Sequence, residues 1–294
     1  MTTMPSIATQ LIINGLIAGS IYALVASGFS LIYSVTKFMH FAHGAVLAVG
    51  AYLLYALAVQ AGMTMALAML VTLILTSLVG EAMNRAVYRP LRARKASGAV
   101  LLIASIALMT FVNACILAWW GADVKTIPVQ NPVYDVLGAR ITFVQVSILI
   151  VSMVLLIVLW LLMKKTVLGK AMRATADNKD VAQTVGINPE HMYTSTFLIG
   201  SFLAGVAGIL IGIEQNLYPQ MGVSLAIKGF TGAVIGSLIS VPGAVLGSFL
   251  LGIVENVGIW WLPSGYKDAI AFVLLFIFLL FKPTGILGVK VREA

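Results

Sequence analysis

The chain has 294 residues, 61% of them hydrophobic and only 10% charged. A soluble domain carries about a quarter charged residues, and here apolar runs of about twenty residues recur along the whole length, so composition excludes a soluble globular protein. The formal charge of +8 gathers in three segments, 81–95, 164–193 and 282–294. That distribution belongs to the cytoplasmic loops of a membrane protein and excludes a nucleic-acid surface.

The expected fold class is therefore all-α, a polytopic transmembrane helical bundle with a single domain over 1–294. Apolar segments fall at about 7–33, 39–60, 63–84, 98–118, 142–163, 193–213, 229–260 and 269–281, giving about eight membrane segments. The opening MTTMPS has no basic residue, and the apolar stretch after it is too long for a signal-peptide core. It reads as the first membrane segment. Basic loops at 85–95 and 164–192 are expected inside, as is the tail after Phe281, which leaves loop 119–141 and the N-terminus outside. Trp119 and Trp120 suit an interfacial anchor, and Cys115, within an apolar run, reads as a small buried hydrophobe.

Segment 164–192 is the one long polar stretch. Connections between membrane helices are usually short, so about thirty residues with helix signals suggest a docking surface. Asp177 is expected to cap a helix that Gly186 stops, and Asn188-Pro189 restarts the next one. Leu168, Ala171, Met172 and Thr175 share one helical face, the pattern of an amphipathic element offered to a soluble partner or laid on lipid headgroups.

Region 229–260 does not fit one ordinary span, because Val241-Pro242-Gly243 interrupts it. The roughly twelve residues before the break reach only about 18 Å, short of a bilayer core of about 30 Å. A broken span or re-entrant hairpin is expected, and such irregular backbone survives at membrane depth only against protein or a water-filled cavity. Small residues at four-residue spacing, such as Gly200, Ala204, Gly208 and Gly212, let helices approach closely.

No nucleotide-binding loop, Cys/His metal pattern or nucleophile elbow occurs, so no catalytic residue, cofactor or metal is expected. His40 and His43 stand three apart without a third ligand. Glu81 is expected to pair with Arg85, Glu214 marks an outer interface, and Lys228 opens the first arm of the interrupted region or snorkels outward. Glu255, followed by Asn256, is an intramembrane charge with two readings, a hydrogen-bond anchor or a group lining a pathway. The candidate pathway residues are His40, His43, Ser240, Pro242, Gly243, Glu255 and Asn256.

Four stretches carry a family resemblance. They are Phe41-Ala42-His43-Gly44 with Gly50-Ala51-Tyr52; Gly186-Ile187-Asn188 running into Ala204-Gly205-Val206-Ala207-Gly208; Val241-Pro242-Gly243-Ala244 through Gly252-Ile253-Val254-Glu255; and Lys282-Pro283-Thr284-Gly285-Ile286-Leu287-Gly288. In this order the chain resembles the permease subunits of branched-chain amino acid ABC importers, the LivH/LivM-like family, over nearly its full length. The resemblance implies a multi-pass permease of the bacterial inner membrane, embedded in the lipid bilayer. It also implies a second permease subunit (identical or homologous), cytoplasmic ATP-binding subunits and a periplasmic substrate-binding protein. Segment 164–192, with Leu168, Ala171, Met172, Thr175, Asp177 and Gly186, would then be the loop coupled to the ATPases. The family often has Asn where His40 stands, which keeps urea, amides and aromatic acids beside branched-chain amino acids as substrates. A secondary transporter driven by an ion gradient is the alternative class, and it would require further buried carboxylates.

Overall fold

The computed structural model describes residues 4–136 and 138–288, so the end of the basic tail lies outside the described residues. Among these residues twelve α-helices follow in order: α1 (Met4–Thr36), α2 (His43–Tyr55), α3 (Met65–Met83), α4 (Arg89–Ala93), α5 (Gly98–Trp120), α6 (Phe143–Lys165), α7 (Val167–Asp177), α8 (Lys179–Thr184), α9 (Pro189–Glu214), α10 (Met221–Gly236), α11 (Val241–Gly258) and α12 (Lys267–Phe281). Wide π-helical turns at Ala56–Gln60 and Asn84–Tyr88 extend α2 and join α3 to α4. Among the described residues, eight of the continuous helical stretches are long and apolar enough to cross a membrane; α10, with 16 residues, is shorter.

Helix α1 is the axis of the bundle. It packs along α11, α9 and α10, and α9 in turn packs on α2 and α3. Small residues set these contacts. A Cβ at Gly208 of α9 would meet the Leu47 carbonyl of α2, and one at Gly252 of α11 would meet Gly15 and Gly19 of α1. The stripe in α9 is thus used within the chain, with Gly200 against Ile32 and Gly212 against Ala51. Backbones this close gain dispersion contacts that lipid cannot supply. Helices α5, α6 and α12 form the flanks and bury few residues each. Cys115 is exposed on α5, which corrects the expectation of a buried thiol: an apolar run on a flanking helix faces outward, where lipid accepts it.

Caps mark the helix starts. Thr142 and Gln145 form a capping box on α6, Thr166 caps α7, and Asn188 followed by Pro189 starts α9 as expected. The cap expected at Asp177 is one residue on: Asp177 ends α7, and Asn178 Oδ1 accepts from the amides of Asp180 and Val181 at 3.0 and 3.1 Å. Gly186, at φ +85°, stops α8 in the left-handed region.

The apolar face of α7 turns inward. Met172 and Thr175 are buried, while Leu168 and Ala171 are half-buried against α6, α1 and α9. A face of that period is satisfied by the chain's own core, so it is not the surface presented outward. The exposed apolar residues of the segment are instead Val167, Val181 and Val185.

The interrupted region begins earlier than its apolar pattern, at Met221, and its break is Ser237–Ser240, with Pro242 already inside α11. At the opposite end of the bundle, loop 119–141 carries an unanticipated antiparallel hairpin, β1 (Val133–Val136) with β2 (Ala139–Thr142), too short to show as a periodic pattern.

Candidate functional site

The expected pathway residues fall into three groups strung along α1. Near the basic end of the bundle lies the break. Ser240 caps α11 by accepting from the Gly243 amide at 3.3 Å, and Ser30 of α1 donates to the Leu238 carbonyl at 2.9 Å. The last carbonyls of α10 are also paired, Ile235 with the Ile286 amide and Gly236 with the Leu287 amide, each at 2.9 Å. The irregular backbone is therefore satisfied, as burial demands. Ser240 and Pro242 face a cavity of about 650 Å³ shared with Lys37, Trp160, Lys164 and Asp177. Gly243 lies against Gly236, away from it. Burial lowers the Lys37 ammonium from its ordinary pKa, opposed by the nearby Asp177 charge.

The same end holds a polar lattice. Arg85 donates to Glu81 at 2.7 Å, the pair the i, i+4 spacing foretold. Arg92 bonds Asn84 at 2.9 Å and Glu190 at 3.1 Å and lies 4.6 Å from the centre of the Tyr193 ring. These contacts tie α4 to the start of α9, directly beside α7 and α8.

The second group is the histidine pair, beside Gly28, between the break and the middle of α1. His43 opens α2 with its ring against Gly28, where a Cβ would collide with it. His40 lies in the turn before α2, its Nδ1 2.9 Å from the Tyr88 hydroxyl and its ring edge-on to Phe197. Both rings are fully buried, and neither lines the cavity at the break or the cavity at the hairpin end. His40 packs and hydrogen-bonds at the re-entry of the chain, and His43 packs there with neither ring nitrogen meeting a side-chain partner among the described residues.

The third group lies toward the end that carries the hairpin. Glu255 of α11 is buried, and its Oε2 accepts from the Tyr22 hydroxyl at 2.9 Å and from Lys228 Nζ at 3.2 Å. Lys228 also pairs with Asp268 of α12 at 3.0 Å. Asn256 donates to the Gly252 carbonyl and accepts from Lys267 Nζ, both at 2.9 Å. Lys228 is thus locked into an interhelical network, which corrects the reading of an outward-snorkelling side chain: two carboxylates hold it inside. Sequence reasoning missed Tyr22, Lys267 and Asp268. An ionisable residue inside the short apolar run 221–236 was the signal that a partner had to exist.

Above this network opens a cavity of about 380 Å³, walled by α1, α6, α9, α10, α11 and α12. Tyr22, Lys228, Asn256 and Lys267 line its floor, and Gln145 and Glu214 its side. Gln145 donates to Glu214 Oε1 at 2.7 Å.

A bundle of spanning helices, broken once, with polar cavities at both ends and a charged network between core helices, defines the class of multi-pass membrane permeases. The family model described as branched-chain amino acid transport system / permease component matches residues 11–279. Similar curated proteins include the high-affinity branched-chain amino acid transport system permease protein BraD of Pseudomonas aeruginosa, 36% identical over 95% of each chain. LivH of Escherichia coli is 34% identical over 95% of each chain, and the probable LivH of Methanocaldococcus jannaschii is 30% identical over 99% of this chain and 96% of its own. Among solved structures, PsaBC from Streptococcus pneumoniae in complex with Fab superposes with a TM-score of 0.53 at 12% identity, covering 92% of this chain and 91% of that one; the likeness is one of fold. The chain belongs to the branched-chain amino acid transport permease family.

Proposed function

We propose that the protein is the membrane-spanning subunit of an ABC importer that carries branched-chain amino acids, or a closely related small amino acid, across the bacterial inner membrane. The observation that carries this reading is the match to BraD and LivH over 95% of both chains at 34–36% identity. The basic end of the bundle is assigned to the cytoplasm, in keeping with the charge of 81–95 and 164–193. There α7 and α8 would meet ATP-binding subunits, since this chain has no nucleotide loop of its own. A periplasmic binding protein would deliver substrate at the hairpin end, and a second permease, identical or homologous, would complete the passage. The ion-gradient alternative needs a carboxylate free to exchange its ion; Glu255 is held by Lys228, which leaves Glu214 to that role, and the gradient arm of the test below decides it.

The test is reconstitution with the ATPase and binding-protein products of the neighbouring genes. ATP-dependent uptake of labelled leucine into proteoliposomes is the expected result. Uptake by the permease alone, driven by a sodium or proton gradient without ATP, would overturn the assignment.

A further inference from the structure

The cavity at the hairpin end has an uneven distribution of charge. Lys228 is satisfied twice, by Glu255 and by Asp268. Lys267 donates only to the uncharged Asn256 and makes no ion pair within 4 Å among the described residues. Across the same cavity Glu214 is also without a cation: Oε1 accepts from Gln145, and Oε2 has no donor among the described residues. A wall that keeps one unpaired ammonium and one unpaired carboxylate is costly when dry, because each charged group left without a partner loses its hydration with nothing to replace it.

We propose that this cavity is a receiving site for an α-amino-acid zwitterion, with Lys267 taking the carboxylate and Glu214 the ammonium. The proposal rests on the amino-acid importer reading and narrows it to a charge type. A simple anion would meet Glu214, a simple cation would meet Lys267, and an uncharged amide would satisfy neither. A zwitterion cancels both. The volume of about 380 Å³ is on the scale of small-molecule sites. Ile17, Ala18, Ile21 and Leu225 supply an apolar wall for an aliphatic side chain. The terminal torsion of a glutamate is broad and two-fold, so a small rotation turns Glu214 Oε2 toward the ligand. Glu255 has a different part: it fixes Lys228 and Tyr22 beneath the site and does not touch substrate.

The experiment uses the complete importer in proteoliposomes with labelled L-leucine and saturating binding protein. Glu214→Gln and Lys267→Met are each expected to slow ATP-driven uptake about tenfold to a hundredfold, the scale of one charge-assisted hydrogen bond. Glu214→Asp and Lys267→Arg keep the charge and should restore uptake to within about threefold of the native rate, which is less than half of such a bond. Native-rate uptake by the assembled Gln and Met variants overturns the site. So does a loss as large in the Asp and Arg variants, or failure of the Gln and Met variants to assemble, since either marks a structural role. If the native importer moves urea with ATP but no amino acid, the substrate reading has failed first and the site falls with it.

Discussion

Glu255 is a fully buried carboxylate that accepts from Tyr22 and Lys228, and its energetics are those of a buried pair rather than of a surface bridge. Removing one member of such a pair strands the other and costs about 3–5 kcal/mol, while replacing both by apolar groups is often close to neutral. Lys228→Met alone should therefore lower the thermal unfolding midpoint in detergent markedly. Lys228→Met combined with Glu255→Leu should recover most of the loss. Glu255→Gln keeps the bond from Tyr22 and should fall between them. A double variant no more stable than Lys228→Met would show that the two side chains are not coupled. Glycine positions make a second prediction at this scale. Gly208→Val drives a branched side chain into the Leu47 carbonyl and should destabilise the bundle by about 1–3 kcal/mol or more. Gly98→Ala, where nothing lies within 4 Å, should be neutral or slightly stabilising, because it adds helix propensity at an open position. Paired melting curves check both.

At the scale of the element, helix existence was legible and orientation was not. The face of Leu168, Ala171, Met172 and Thr175 was visible as a period, but a period does not say whether the chain or a partner covers it. The structure turns Met172 and Thr175 inward and leaves Val181 and Val185 outside. Met172→Glu should accordingly abolish folding, read as loss of monodisperse protein on gel filtration. Val185→Asp should leave the permease folded and, in the proposed importer, uncouple ATP hydrolysis from uptake. Normal coupling by Val185→Asp and Val181→Asp together would move the ATPase contact elsewhere. The break near Pro242 was legible because proline and glycine punctuate an apolar run. The start of α10 at Met221 was hidden, since Lys228 inside it looked like a helix end until Glu255 and Asp268 were seen to neutralise it. Tyr22 and Lys267 were invisible for a related reason: their partners lie on other helices, and one sequence carries no pairing information.

For the whole molecule, apolar length foretold the eight helices long enough to cross a membrane among the described residues, and the order in which they pack is visible only in the structure. Loop 119–141 and segment 164–192 lie at opposite ends, so single cysteines can read the topology in a Cys115→Ala background. Cysteines at Ala96 and Asn178 should resist an impermeant thiol reagent applied to intact cells, and one at Asn131 should react. Labelling at Asn178 from outside would invert the assignment. The native Cys115 faces outward from a flanking span. It should escape the impermeant reagent and react with a lipid-soluble maleimide.

The pairing of Ile286 and Leu287 with the last carbonyls of α10 sets a timetable for biogenesis. As the nascent chain enters the membrane, the end of α10 must wait for donors that are synthesised only after α11 and α12. At about 5–20 residues per second the delay is roughly three to ten seconds. During that interval the α10–α11 hairpin is exposed to the insertion machinery with two acceptors unpaired, a state in which proteases and chaperones would compete for it. The turn at 282–288 is therefore the step that satisfies the last free carbonyls of α10. Ile286→Pro, which removes one donor, should prolong protease sensitivity in pulse-chase experiments more than it alters the finished transporter.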